Sequence, residues 1–350
     1  MHMRTLGGSG IKVSPLAVGC WSFGGGAYWG EQSQQSVDAI VASALERGVN
    51  LFDTAAMYND GNSEISLGIS LKGKRNQAVI CSKLGPHVAY RDEMIRQCEM
   101  SLKRLQTDYL DCYMLHWPIN PVAIRHFTDD EGIIAHPPTV QEAFEAFETL
   151  KRDGKIRAVG ISNFGVRQME EAFQTGVAVD VNEMPYNIFT RAIEYEILPY
   201  CMEKGIAVVC SMALQQGILA GAYQRSEDIP PNQAHSRHFH YERGQGTSRH
   251  DSTGVESEMF AALKQLREIA ASMDISMAQL AIAWLLHRPG IASVLAGSRT
   301  TNELYDNLKA LDVSLTKDVV EYIDGISEAV KTKMGANPDL YESEANRRIF

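Results

Sequence analysis

The chain has 350 residues, 45% hydrophobic and 22% charged, and its 33 basic and 43 acidic side chains leave a formal net charge of −10. This is the composition of a soluble globular protein able to bury a core without staples, and the acidic balance excludes a phosphate-backbone binder, which needs a basic face to gain from counterion release. Nucleic acid is not an expected partner. The start MHMRTLGGSGIKVS lacks the apolar run of a signal peptide, and no stretch approaches the roughly 18 apolar residues of a membrane span, so a cytoplasmic protein without membrane contact is expected. Cys20, Cys81, Cys98, Cys112, Cys201 and Cys210 never show CxxC spacing and several sit in apolar runs. They are expected to be reduced core thiols, and no metal site is expected.

Residues 1–14 alternate around a Gly-rich turn and predict a hairpin that plugs one end of the fold. Eight short apolar or β-branched runs follow, at 16–20, 50–55, 78–84, 109–116, 158–163, 179–184, 206–212 and 292–298. Between them lie segments such as SQQSVDAIVASALERG and TVQEAFEAFETLKRDG, with apolar residues at three- and four-residue spacing. Strands alternating with eight amphipathic helices and no linker predict a single (β/α)8 TIM barrel spanning 1–350. An open doubly wound sheet is the weaker reading, because GCWSFGGG does not have the GxGxxG spacing. Two long loops, 119–138 and 222–254, follow the fourth and seventh strands and so lie at the C-terminal mouth, where this fold keeps its chemistry. The tail 334–350 either covers the pocket or contacts another subunit, so a homo-oligomer stays open.

Asp53, Lys83 and His116 stand at the ends of the second, third and fourth strands, about one strand–helix unit apart, and Tyr58 follows Asp53 in the next loop. Four ionisable groups delivered side by side to one mouth imply a proton-handling network. A phenol donates poorly at neutral pH unless a cation stabilises its phenolate. Lys83 would be that cation, Asp53 would hold it, and His116 would bond the substrate oxygen. This is a carbonyl-reducing constellation.

The segments GVNLFDTAAMYNDGNSEISLG, ICSKLG, DYLDCYMLHWP, GKIRAVGISNF and GSRTTNELYDNL together resemble the aldo-keto reductases, in the right order over most of the chain. The resemblance implies NAD(P)H-dependent carbonyl reduction, with the catalytic tetrad on Asp53, Tyr58, Lys83 and His116. It implies a cofactor lying across the barrel mouth, its carboxamide bonded by Ser162 and Asn163. Glu183 stands where the family has Gln, an acceptor that cannot donate while ionised. Ser211, Met212 and Leu214 replace a segment that often carries a stacking aromatic. Gln216, Gly217 and Leu219 match the loop passing over the pyrophosphate, and Gly297, Ser298, Arg299, Thr300, Glu303 and Asn307 the adenosine end. Arg299 would pair with a 2′-phosphate, whereas Glu303 would repel it or bond a free ribose hydroxyl. NADPH is favoured and NADH stays open.

Trp21, Tyr28, Trp29 and Trp117, with Phe23 and Met57, predict an aromatic wall suited to a sugar, a sugar derivative or a cyclitol. Arg125, His126, Asp129, Asp130 and His136 of the first loop either bond hydroxyl or carboxylate groups of the substrate or form a solvated lid. His235, His238, His240 and His250 of the second suggest a mobile cofactor clasp. The expected function is reduction of an aldehyde or ketone to an alcohol with Tyr58 as proton donor. Two alternatives remain: NAD-dependent oxidation of a sugar or cyclitol alcohol, and a cofactor-sensing regulatory subunit on the same scaffold.

Overall fold

In the computed structural model, which describes residues 1–350, all eight expected strands form within two or three residues of their predicted ends. A hairpin of β1 (Arg4–Thr5) and β2 (Lys12–Val13) precedes β3 (Leu16–Gly19), β4 (Leu51–Asp53), β5 (Val79–Leu84), β6 (Leu110–Leu115), β7 (Ile156–Ser162), β8 (Val181–Pro185), β9 (Ala207–Ser211) and β10 (Ile291–Gly297). Strands β3 to β10 pair in parallel in chain order, and β10 returns to β3 to close the barrel. The (β/α)8 expectation is met.

The helices depart from a plain alternation. Helices α1 (Gln34–Glu46), α2 (Asn62–Ser70) and α3 (Arg91–Leu105) follow β3, β4 and β5, and α4 (Pro121–Ile124) and α5 (Glu131–Ala135) lie inside what the sequence suggested was an irregular loop. Helices α6 (Val140–Arg152), α7 (Val166–Gln174) and α8 (Ile197–Lys204) restore the rhythm. Then α9 (Glu256–Ser272) precedes α10 (Met277–Leu286), and α12 (Lys317–Met334) follows α11 (Thr301–Leu308). Helices α9 and α12 are additions to the eight and pack on each other, joined by a Lys333–Glu258 ion pair. No single helix is long and apolar enough to cross a membrane.

Two apolar layers follow from the strand period of two. Outward residues pack under the helices in one large cluster, while Ala17, Leu51, Val79, Cys81, Cys112, Met114, Val181 and Val209 fill the barrel interior. Leu6, Ile11 and Val13 of the hairpin join that inner cluster and close its floor, as expected. The filling is tight: a Cβ on Gly160 would come within 2.5 Å of Met114 Cγ and 2.8 Å of Cys112 Sγ. All six cysteines are buried and unpaired. Continuing the inward rows of β4, β5 and β8 toward the mouth places Asp53, Lys83 and Glu183 above this apolar plug.

Candidate active site

Lys83 Nζ lies 2.6 Å from each oxygen of Asp53, 3.2 Å from the Thr54 carbonyl, 3.4 Å from Glu183 Oε2 and 3.5 Å from the Tyr58 hydroxyl. The lysine is wholly buried, and Asp53 and Glu183 are nearly so. Burial alone would strip the ammonium of its proton, but the two carboxylates outweigh it and hold Lys83 well above the ordinary lysine value. Burial, reinforced by the charge of Asp53, lifts Glu183 to about 8 against the pull of Lys83. Asp53 is also raised by burial, and its doubled contact with the ammonium counteracts that rise.

Tyr58 differs from the sequence expectation. Burial raises its phenol, Lys83 pulls it down, and Asp53 and Glu183 push it up again, so it stays protonated well above its usual range. The ammonium is already held by both oxygens of Asp53, which weakens its hold on a phenolate. His116 meets the Tyr58 ring edge-on at 5.6 Å, and its imidazole is driven far below the usual value by burial and then by Lys83. It is a neutral ring, with Nδ1 buried and unpartnered.

The loop carrying Tyr58 is fastened across the mouth. Asn59 and Asp60 adopt left-handed φ values of 50° and 54°, and Asn59 Nδ2 donates to the carbonyls of Trp21 and Phe23, each at 2.8 Å. Such backbone costs about 1 kcal/mol or more per residue and persists where the surroundings enforce it. Trp21 stacks on Tyr28 at 5.2 Å, meets Trp29 edge-on at 5.3 Å and lies 5.8 Å from the Tyr58 ring. The aromatic wall is therefore assembled from Trp21, Tyr28 and Trp29. Phe23 is not part of it, being wholly buried in the outer core. Trp117 stands apart from these three rings, beneath the Arg348 guanidinium at 3.7 Å.

The expected cofactor residues occupy the ends of four successive strands, β7 to β10. Asn163, with φ of 61°, donates from Nδ2 to the His116 carbonyl and to Ser162 Oγ, both at 3.0 Å, and Ser162 Oγ donates to the Glu183 carbonyl at 3.1 Å. Met212 and Gln216 also have positive φ after β9, beside Ser211 and Leu214, and Gly217 reaches 93°. Leu219 is a core side chain, so only its backbone is available to a ligand. Gln216 Nε2 donates to the Tyr28 hydroxyl at 2.8 Å, joining the loop after β9 to the aromatic wall. At the far end, Asn307 bonds Ser298 beneath the surface beside Gly297, and Thr300 caps α11. Glu303 Oε2 accepts from the Arg299 amide at 2.7 Å, while the Arg299 side chain reaches Gln32 and the Glu31 carbonyl. Glu31, Gln32, Arg299, Thr300 and Glu303 line a cavity of about 380 Å³, while Ser298 and Asn307 are buried beneath. A larger cavity, about 1100 Å³, opens at the opposite end beside the hairpin, remote from the ionisable cluster.

A profile of the Aldo/keto reductase family matches residues 15–328. The chain belongs to the aldo/keto reductase family. It is 31% identical over 351 residues to the NADH-specific methylglyoxal reductase of Escherichia coli strain K12, covering 95% of this chain and all of that one. Among solved structures, the glycerol dehydrogenase of Gluconobacter oxydans superposes with a TM-score of 0.76 at 26% identity, covering 93% of this chain and 94% of that one. An aldo-keto reductase from Klebsiella pneumoniae in complex with NADPH gives 0.70 at 27% identity, covering 93% and 96%. This aldo/keto reductase is thus an NAD(P)-dependent oxidoreductase that reduces carbonyl compounds.

Its two long loops correct the sequence reading. In the first, Asp130 caps α5, the His136 carbonyl accepts from Tyr90, and His126 Nε2 lies 2.9 Å from Glu342. Arg125 is an exposed partner of Glu131. Asp130 and His126 are thus engaged within the protein, while Arg125 stays exposed. The second loop is a folded platform and not a free clasp: His238 is buried against the Phe189 carbonyl, and His250 bonds the His235 carbonyl. Burial lowers His238 to about 4, leaving it neutral. The platform anchors the C-terminal tail, since Arg237 donates to the carbonyls of Met334, Asn337 and Asp339. Of the two roles open to the tail, it packs back on its own chain, through residues the sequence did not single out. Arg348 is paired with Asp339 at 2.6 Å, and Tyr341 is near enough to Tyr28 to help burial raise that phenol to about 12. A tyrosine or arginine in a polar tail carries no local signal of such long-range contacts.

Proposed function

We propose that this aldo/keto reductase reduces small, hydroxyl-bearing aldehydes or ketones, with Tyr58 as the proton donor and NADH as a working cofactor. The observation that carries the reading is the Tyr58 hydroxyl 3.5 Å from a buried ammonium, on a ring that meets the neutral His116 imidazole edge-on and lies beside Trp21 of the aromatic wall.

The residues present fit a nicotinamide dinucleotide: Glu183 Oε2 is buried without a hydrogen-bond partner, and Ser162 and Asn163 sit beside it at the rim. These three would hold the carboxamide end, the backbone of 211–219 the diphosphate, and 297–307 the adenosine. When bound in reduced form, the nicotinamide supplies a hydride to the carbonyl carbon. Negative charge then grows on the carbonyl oxygen, facing the Tyr58 O–H and the imidazole of His116. A nascent alkoxide is basic enough to take a proton even from a raised phenol. Lys83 steadies the phenolate that remains, and Asp53 keeps Lys83 in place. Because His116 is neutral it polarises the oxygen through an N–H and leaves proton delivery to Tyr58.

The aromatic wall gives apolar faces against which C–H faces of a polyol can pack. The names of two similar proteins, a methylglyoxal reductase and a glycerol dehydrogenase, also point to small oxygenated compounds. On cofactor choice, the Glu303 carboxylate already accepts from the Arg299 amide just ahead of α11 and would repel a 2′-phosphate, while the Arg299 side chain is engaged by Glu31 and Gln32. This moves the balance from NADPH, favoured on sequence, toward NADH. The test is fluorescence titration with NADH and NADPH separately, followed by a turnover screen of aldehydes, ketoses and cyclitols. Binding of NADH with turnover of a hydroxylated carbonyl supports the reading, and failure to bind either dinucleotide refutes it.

A further inference from the structure

We infer that Glu183 makes this site discriminate between the two redox states of the nicotinamide, its carboxylate favouring the oxidised ring. The inference rests on the cofactor reading above and deepens it.

Hydride exchange with a carbonyl held at Tyr58 requires the ring to lie by Tyr58, Lys83 and the rim residues, and Glu183 is the acidic side chain there with an unsatisfied atom. Its Oε2 has no hydrogen-bond partner, only an ion contact with Lys83 at 3.4 Å, and the residue is 4% exposed. The oxidised nicotinamide ring carries a positive charge and the reduced ring carries none. A carboxylate in low-dielectric surroundings therefore stabilises one form and not the other. The protonated carboxyl is neutral, can donate as an amide does, and treats the two forms alike in charge.

Facing Glu183 are the Lys83 ammonium on β5, the Asp53 carboxylate on β4, the Tyr58 phenol in the following loop and the Cys210 thiol on β9. Lys83, Tyr58 and Cys210 are all pushed upward and the neutral His116 is pushed far down, which leaves the two neighbouring carboxyls, Asp53 and Glu183, both raised by burial, with Glu183 the one that lacks the doubled contact to the ammonium. With its carboxyl at about 8, about one molecule in ten is ionised at pH 7 and about nine in ten at pH 9. A ligand that binds only the carboxylate form then tightens about tenfold over that interval.

The experiment measures dissociation constants of NAD+ and NADH at pH 7 and pH 9 for the wild-type protein and for Glu183→Gln. The expected result is an NAD+ constant falling about tenfold relative to that of NADH in the wild type, and a ratio independent of pH in the variant. Calorimetry of NAD+ binding to the wild type at pH 7, in buffers of different ionisation enthalpy, should show close to one proton released, and this decides the matter if the variant does not fold. A pH-independent ratio in the wild type, or no proton release, overturns the inference while leaving the cofactor reading intact. A pH-dependent ratio that survives in Glu183→Gln overturns the assignment to this residue. Failure of both dinucleotides to bind overturns the cofactor reading and the inference with it.

Discussion

Replacing Glu183 by Gln should change the way stability depends on pH, whether or not any ligand is present. In the folded chain the carboxyl ionises at about 8, because burial and the Asp53 charge outweigh the attraction of Lys83. In the unfolded chain a glutamate ionises near ~4.3. Between these values the folded state holds a proton that the unfolded state has lost. The favourable contribution is thus complete below about 4.3 and declines as pH rises toward 8, at ~1.4 kcal/mol per pH unit. From pH 5.5 to 7.5 the wild type should lose roughly 2–3 kcal/mol through this one group, an order-of-magnitude figure. The glutamine variant loses none of it. Urea unfolding of both proteins at several pH values should show the variant gaining on the wild type by that amount, with unchanged m-values. Parallel stability curves would refute the raised carboxyl, and a variant that falls behind as pH rises would show that the ion contact with Lys83 dominates burial.

Glu303→Arg should raise affinity for NADPH relative to NADH by tenfold or more, since it removes a repelling carboxylate and adds a bidentate phosphate donor; separate titrations check this, and an unchanged ratio would displace the adenosine site. Arg348→Met leaves Asp339 buried without its partner, a loss of roughly 3–5 kcal/mol for a broken buried pair. The tail 335–350 should then detach from Trp117 and become protease-sensitive, whereas Arg348→Met combined with Asp339→Asn, which removes the unpaired charge and keeps an acceptor for the backbone amides there, should recover part of the protection. Equal proteolysis of the wild type and Arg348→Met would contradict the proposed anchoring.

The barrel was legible because each strand is a short β-branched run bounded by helical periodicity, and parity did the rest. Cys81 inward implies Lys83 inward, and the same two-residue step carries Val181 to Glu183. The helices α4 and α5 were also signalled, by Asn120–Pro121 and by Asp130, whose side chains accept from the first-turn amides. The loop reading passed over those caps because neither helix is long enough to show a period. Other features have no local signal at all. Tyr28 and Gln216 are 188 residues apart in sequence, and Arg348 reaches Trp117 from the far end of the chain. Side-chain types alone likewise suggested that Lys83 would acidify Tyr58. The outcome depends on how many carboxylates share the ammonium, and that is a property of the closed barrel.

The most direct test of the account is a single-turnover comparison of the wild type with Tyr58→Phe, following NADH fluorescence after mixing with a carbonyl substrate. The substitution keeps the ring, its 5.6 Å approach to His116 and its place beside Trp21, and removes only a hydroxyl that contacts Lys83 at 3.5 Å. NADH affinity should stay within about twofold while hydride transfer slows by ~10²–10⁴-fold, the usual contribution of a positioned proton donor. A variant that turns over at the wild-type rate would show that the proton comes from elsewhere, and the reading of this site would fail.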